Sequence, residues 1–127
     1  MSESFTIINK TKGKPPRLPF VAIKNEALGE EYELELVFLD EVEMQIINRE
    51  HHKKDTPTNI LSFLLSKTSG QIFICLAYAK KEAPDFEKNY TNYVGFLFIH
   101  GLIHLLGFDH GSTMENEEQK IRNIFRI

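Results

Sequence analysis

The sharpest alternation of apolar and polar positions lies in "EYELELVFLD", where Tyr32, Leu34, Leu36 and Phe38 alternate with Glu31, Glu33, Glu35 and Val37. A two-residue period sends successive side chains to opposite faces, so this stretch predicts a strand with one buried face. Its charged half faces water, which predicts a place at the edge of a sheet. "SFTIINK", "ILSFLL" and "QIFICLAY" predict three more strands, the last two separated by the turn-like "SKTSG". "PFVAIKNEALG" predicts a helix stopped by Gly29, and Asp40 is placed to N-cap another through "EVEMQIINRE". "HHKKDTPTN" predicts a loop, because Pro57 biases Thr56 away from helix. After a short helical piece near "AKKEA" and a break at Pro84, one long helix is predicted from about Glu87 to Leu106. "STMENEEQKIRNIF" then predicts a closing helix capped by Ser112 or Thr113. Strands and helices alternate early and helices cluster late, the pattern of an α+β fold with about four strands.

Composition narrows the class. With 127 residues, 42% hydrophobic and 26% charged, the chain is expected to form one domain over residues 1–127 with its own core. No apolar run is long enough to span a bilayer, so no membrane partner is expected. The first residues lack a basic segment followed by an apolar one, and the single cysteine, Cys75, cannot form an internal disulfide. Both features predict a reducing, cytoplasmic setting. The net charge of −3 conceals a local imbalance. Residues 26–50 hold nine acids against one base, whereas Lys10, Lys12, Lys14, Arg17 and Lys24 face only Glu3 in the first 25. A general polyanion binder is excluded, because basic stripes dominate such proteins. A basic patch beside one cleft, such as "HHKK" from His51 to Lys54, is still compatible.

The chemistry concentrates in "HGLIHLLGFDH", which holds three of the five histidines. Residues four apart on a helix share a face, so His100 and His104 can grip one ion. Gly107 stands where a helix needs a residue of positive φ to stop, and the turn beyond it can bring His110 back to the pair. Three neutral imidazoles would leave a tetrahedral ion one position open for water, the arrangement of a catalytic site. The spacing approaches the zinc-protease motif H-E-x-x-H-x-x-G-x-x-H. There a Glu follows the first His as general base, but here that position is Gly101. Asp109 is placed either to orient a ligand imidazole or to cap the turn. Phe96, Phe98 and Phe108 read as core, and Cys75 as a small packed hydrophobe. A metal-dependent RNA hydrolase fits the histidines, the missing Glu and the basic loop. An RNA-binding assembly factor with a structural metal fits the same residues, whereas a metallopeptidase fits the histidines alone.

"HGLIHLLGFDH" resembles the H-G-x-x-H-L-x-G-x-D-H signature of the YbeY family of metal-dependent endoribonucleases. "DTPTNILSF", Asp55 to Phe63, resembles that family's D-x-P-T-N-V-L-S-F segment. The similarity runs from about Phe5 to the C-terminal helix. It implies a small mixed sheet packed with helices, and one zinc ion held by His100, His104 and His110 on the long helix and the loop after it. It further implies action on single-stranded RNA in ribosomal RNA maturation, notably at the 3′ end of the small-subunit 16S rRNA, and in ribosome quality control. The ribosome and its assembly factors are the implied partners, and DNA is not. Where the family usually carries an Arg three residues before the Asp of the second segment, this chain has His52, followed by Lys53 and Lys54. The resemblance thus adds His52 to the catalytic set and makes His52, Lys53, Lys54, Thr58 and Asn59 the RNA-contacting candidates. Gly70-Gln71 likewise stands where the family commonly has Gly-Asp.

Histidine titrates near neutral pH and lacks the two-pronged phosphate grip of a guanidinium. His52→Arg is therefore expected to tighten RNA binding, most visibly above about pH 7. Replacing Lys53 and Lys54 with Ala should weaken binding and flatten its dependence on salt. Fluorescence anisotropy with a labelled single strand, across pH and salt, measures both effects. Superimposable curves for all three proteins would place the RNA elsewhere.

Overall fold

The computed structural model describes residues 4–52, 58–107 and 111–127. The side chain of His52 and residues 53–57 and 108–110 lie outside the described set, and with them Lys53, Lys54, Asp109 and His110. The order of elements is β1 (Phe5–Asn9), α1 (Phe20–Leu28), β2 (Glu33–Leu39), α2 (Glu41–His52), β3 (Ile60–Ser66), β4 (Ser69–Cys75), α3 (Leu76–Glu82), a 3-10 turn (Ala83–Phe86), α4 (Tyr90–Leu105) and α5 (Ser112–Phe125). The strands form one sheet in the order β1-β2-β4-β3. β1 and β4 both run parallel to β2, and β3 is antiparallel to β4, so the sheet is mixed.

Local chemistry accounts for several boundaries. Asp40 caps α2, its Oδ1 accepting from the Glu43 backbone N–H at 2.9 Å. Asn89 caps α4 in the same way through the Asn92 N–H at 2.8 Å. Gly29, at φ 90°, closes α1 as expected. Gly107, at φ 92°, follows the end of α4, and its N–H donates to the His104 carbonyl at 3.0 Å.

Four expectations need correction. The loop predicted from His51 begins later, since His51 and His52 are the last residues of α2. β2 lies inside the sheet, between β1 and β4, not at an edge. Its second half is buried on both faces, since Val37 and Leu39 are covered as fully as Leu36 and Phe38. The alternating charge ends at Glu35, whose carboxylate takes a 2.8 Å hydrogen bond from Gln71 on the neighbouring strand. The strand predicted through Tyr78 stops at Cys75, because Leu76 and Ala79 turn inward as the first turns of α3. Finally, α5 is preceded by Gly111, and Ser112 is already helical with no side-chain cap.

Two unequal clusters fill the two sides of the sheet. The larger joins Leu34, Leu36, Phe38, Ile72 and Ile74 of the sheet to α1, α3, α4 and α5. There Phe20 meets Phe98 edge-on at 5.2 Å, and Phe5 stacks on Phe98 at 6.2 Å. The smaller joins Val37, Leu39, Leu61 and Cys75 to Met44 of α2. Cys75 is fully buried there, and burial pushes its thiol pKa up, as expected of a packed hydrophobe.

The start of β3 is tied to the helical layer by polar contacts. Asn59 Nδ2 donates to Glu82 Oε1 at 2.8 Å, and the Tyr93 hydroxyl donates to the same oxygen at 3.2 Å. Burial, reinforced by the Glu82 charge, pushes the Tyr93 phenol up to about 12. Between pH 10, where an unfolded tyrosine ionises, and about 12, the folded chain holds a proton that the unfolded chain has lost. Tyr93 therefore contributes stability that is complete below pH 10 and declines through that window. Urea unfolding across alkaline pH should show this decline, and Tyr93→Phe should make it shallower. An unchanged slope in the variant would exclude Tyr93 as its source.

Candidate metal centre

Helix α4 is apolar on almost every side, the pattern of a helix enclosed by its own protein. From Tyr93 to Leu105 only Phe96, His100 and His104 are not buried. These three are spaced four apart and make a single stripe along the helix. Every other direction is taken up by the sheet and the neighbouring helices. The two histidines thus project from a rigid support that the core positions.

The stripe is framed by α5. Glu118 of that helix is only 7% exposed, and its Oε1 lies 2.6 Å from Nδ1 of His100. Phe96, one turn before His100, is half-buried, with the guanidinium of Arg122 5.0 Å and the Lys88 ammonium 5.4 Å from its ring centre. It is thus a rim residue, where the sequence placed it in the core. Phe98 is fully buried, as expected. A cleft of about 400 Å³ opens between α4 and α5, lined among others by Phe96, His100, Met114, Glu118 and Arg122.

Gly101 faces the sheet. A Cβ there would stand 3.0 Å from Ile60 Cδ1, 3.0 Å from Ser62 Oγ and 3.1 Å from Ile72 Cδ1. The position after the first histidine, which carries the general base in zinc peptidases, is therefore filled by strands β3 and β4. A glutamate could not occupy it without displacing the sheet. Ser62, whose hydroxyl lies 3.5 Å from the Gly101 carbonyl, belongs to the same contact and is structural.

Among the described residues, then, the structure places His100 and His104 on one stripe of α4 and sets Glu118 against His100 alone. No group of three or more side chains able to hold a metal is found among them. His110 and the side chain of His52, with Lys53 and Lys54, fall outside the described set. Thr58 and Asn59 stand just before β3; the side-chain Nδ2 of Asn59 is engaged with Glu82 and Tyr93, and the Asn59 backbone carbonyl accepts from the Cys75 N–H at 2.9 Å. Glu118 is absent from the residues singled out by sequence, yet a signal exists. Met114, Glu118 and Ile121 share the buried stripe of α5, where an acid breaks the apolar pattern. No helix among the described residues is long and apolar enough to cross a membrane.

Comparison with known proteins agrees with the motifs. The family model for Endoribonuclease YbeY matches residues 18–125. The Endoribonuclease YbeY of Macrococcus caseolyticus is 36% identical, over 87% of this chain and 83% of that protein. One from Campylobacter jejuni is 40% identical, over 75% of this chain and 77% of its own length. The solution structure of TM1509 from Thermotoga maritima is similar in fold, with a TM-score of 0.65 at 21% identity, covering 96% of this chain and 91% of that one.

The contact of Gly101 with the sheet yields a direct test. Gly101→Glu should destabilise the chain by about 3 kcal/mol, since it forces a carboxylate into the close contact with Ile60, Ser62 and Ile72. It should confer no peptide hydrolysis. Chemical denaturation and a peptide panel measure the two outcomes, and a stable variant would show that the contact can open.

Proposed function

The chain belongs to the Endoribonuclease YbeY family, and from that premise we propose that it is a metal-dependent endoribonuclease cutting single-stranded RNA in ribosomal RNA maturation. The proposed substrate is the 3′ end of the small-subunit rRNA, with a further part in ribosome quality control. One domain carries the activity, in the cytoplasm, in contact with ribosomes and their assembly factors. The observation that carries this reading is the His100–His104 pair on the sole uncovered stripe of α4, inside a motif that matches the family.

The residues present fit a metal. Two imidazoles one turn apart supply borderline-soft nitrogen donors suited to zinc, and the carboxylate against His100 Nδ1 suits a histidine that binds through its other nitrogen. His100, His104 and His110 would hold the ion. A bound zinc supplies Lewis acidity for cleavage of a phosphodiester. The chain's own groups bind and place the RNA. His52, Lys53 and Lys54 attract its phosphates, and Thr58 and Asn59 shape the base of that loop where β3 begins. Gly101 removes the carboxylate that peptide hydrolysis would use, which favours a nuclease over a peptidase.

Metal analysis and RNA cleavage test the reading together. The wild type should carry one divalent ion per chain, and His104→Ala should lose it. RNA cleavage should fall at least about 100-fold in the variant and in chelator-treated wild type, while peptides stay intact. Removing the ion should also lower the melting temperature, since it ties α4 to the loop beyond. Equal metal content in both proteins would end the claim for this site. Metal-dependent RNA binding without cleavage would instead indicate an assembly factor.

A further inference from the structure

We propose that Glu118 is a positioning residue for the metal centre, fixing the His100 imidazole so that Nε2 faces the ion. The inference rests on the metal reading above and names a residue that the histidine motif does not contain. Burying a carboxylate costs several kcal/mol unless a partner compensates it. Glu118 is 7% exposed, in line with Met114 and Ile121 on the inward face of α5. Its compensation is His100 Nδ1 at 2.6 Å. Two donors of one tetrahedral ion, each about 2 Å from it, would stand about 3.3 Å apart, farther than these two atoms. Glu118 is therefore not a ligand shared with Nδ1; it accepts a hydrogen bond from Nδ1–H.

The consequence for the ring is specific. A neutral imidazole carries its proton on one nitrogen only, so a carboxylate at Nδ1 leaves the lone pair on Nε2. The same hydrogen bond stops rotation of the ring, and the acceptor increases the basicity of the ligating nitrogen. Since the acid comes from α5 and the histidine from α4, the contact also couples the docking of the last helix to the site. A merely structural ion pair would hold α5 in place without regard to which nitrogen bears the proton.

Two substitutions separate these roles. Glu118→Met keeps the volume and suits the apolar stripe, so the metal-free protein should melt at or above the wild-type temperature. Its zinc affinity, measured by competition with a chromophoric chelator, should nevertheless fall about 10- to 100-fold. Glu118→Gln keeps an oxygen able to accept from Nδ1–H and should lie between the two. In the metal-free protein, at a pH where the ring is neutral, the 15N shifts of the His100 ring should report a single Nδ1–H tautomer, which becomes a mixture in Glu118→Met. Zinc affinity within about threefold of wild type in Glu118→Met, or an unchanged tautomer, would overturn the role of Glu118 and leave the metal site standing. If Glu118→Met does not fold, the Gln variant and the wild-type ring shifts decide. A wild type that binds no zinc overturns the metal reading and this inference together.

Discussion

The contact between α4 and the sheet sets the terms for the remainder of the molecule. Helix and sheet approach closely at Gly101, where Ile60, Ser62 and Ile72 occupy the space of a side chain. Close packing at that point turns the adjoining residues of α4 to fixed directions, because a helix advances each side chain by about 100°. With Gly101 against the strands, His100 and His104 are left on the stripe of α4 that the core does not bury. Position 101 thus determines both which chemistry the helix presents and which it lacks. A larger residue there would disturb the core and the proposed metal ligands at once.

Among the described residues, Asn25 Oδ1, Asn92 Oδ1 and the Tyr32 hydroxyl are buried without a hydrogen-bond partner, but the charged groups inside the structure are matched locally. Lys24, fully buried on α1, donates to the Glu30 carbonyl at 3.1 Å and to Ser4 Oγ at 3.3 Å, while its burial lowers the ammonium pKa. Asn59, Glu82 and Tyr93 satisfy one another between β3 and the helices. Glu118 and His100 do the same between α4 and α5. The last pair differs in facing a cleft, where an orientation imposed by the fold can act on something that enters.

Much of this was legible in the sequence, for identifiable reasons. The alternation at Leu34, Leu36 and Phe38, the Asp40 cap and the glycines at 29 and 107 each act through near neighbours, and each stands where the pattern puts it. The histidine pair was legible because helical spacing alone makes 100 and 104 neighbours. The placement of β2 was not, since strand order depends on which distant segments pair, and the acids at 31, 33 and 35 describe only its first half. The end of β4 was also hidden. "QIFICLAY" is apolar without interruption, and only the burial of Leu76 and Ala79 separates strand from helix. Glu118 was missed because, beside Glu115 and Glu117, it looks like part of the solvated face of an amphipathic helix until the register is known.

The unequal division of the core has a consequence for how the protein breathes. Helix α2 rests on a small cluster and leaves Val42 and Ile46 exposed, whereas α4 is enclosed by the larger one. Local opening free energies follow such differences in buried apolar contact, so backbone amides of α2 exchange with solvent through lower-energy openings than those of α4. Helix α2, which ends at His52, therefore belongs to the softer half of the molecule, and the histidine pair to the stiffer one. In the function proposed above, the softer half would adjust to a flexible strand of RNA while the stiffer half keeps the His100 and His104 nitrogens in register.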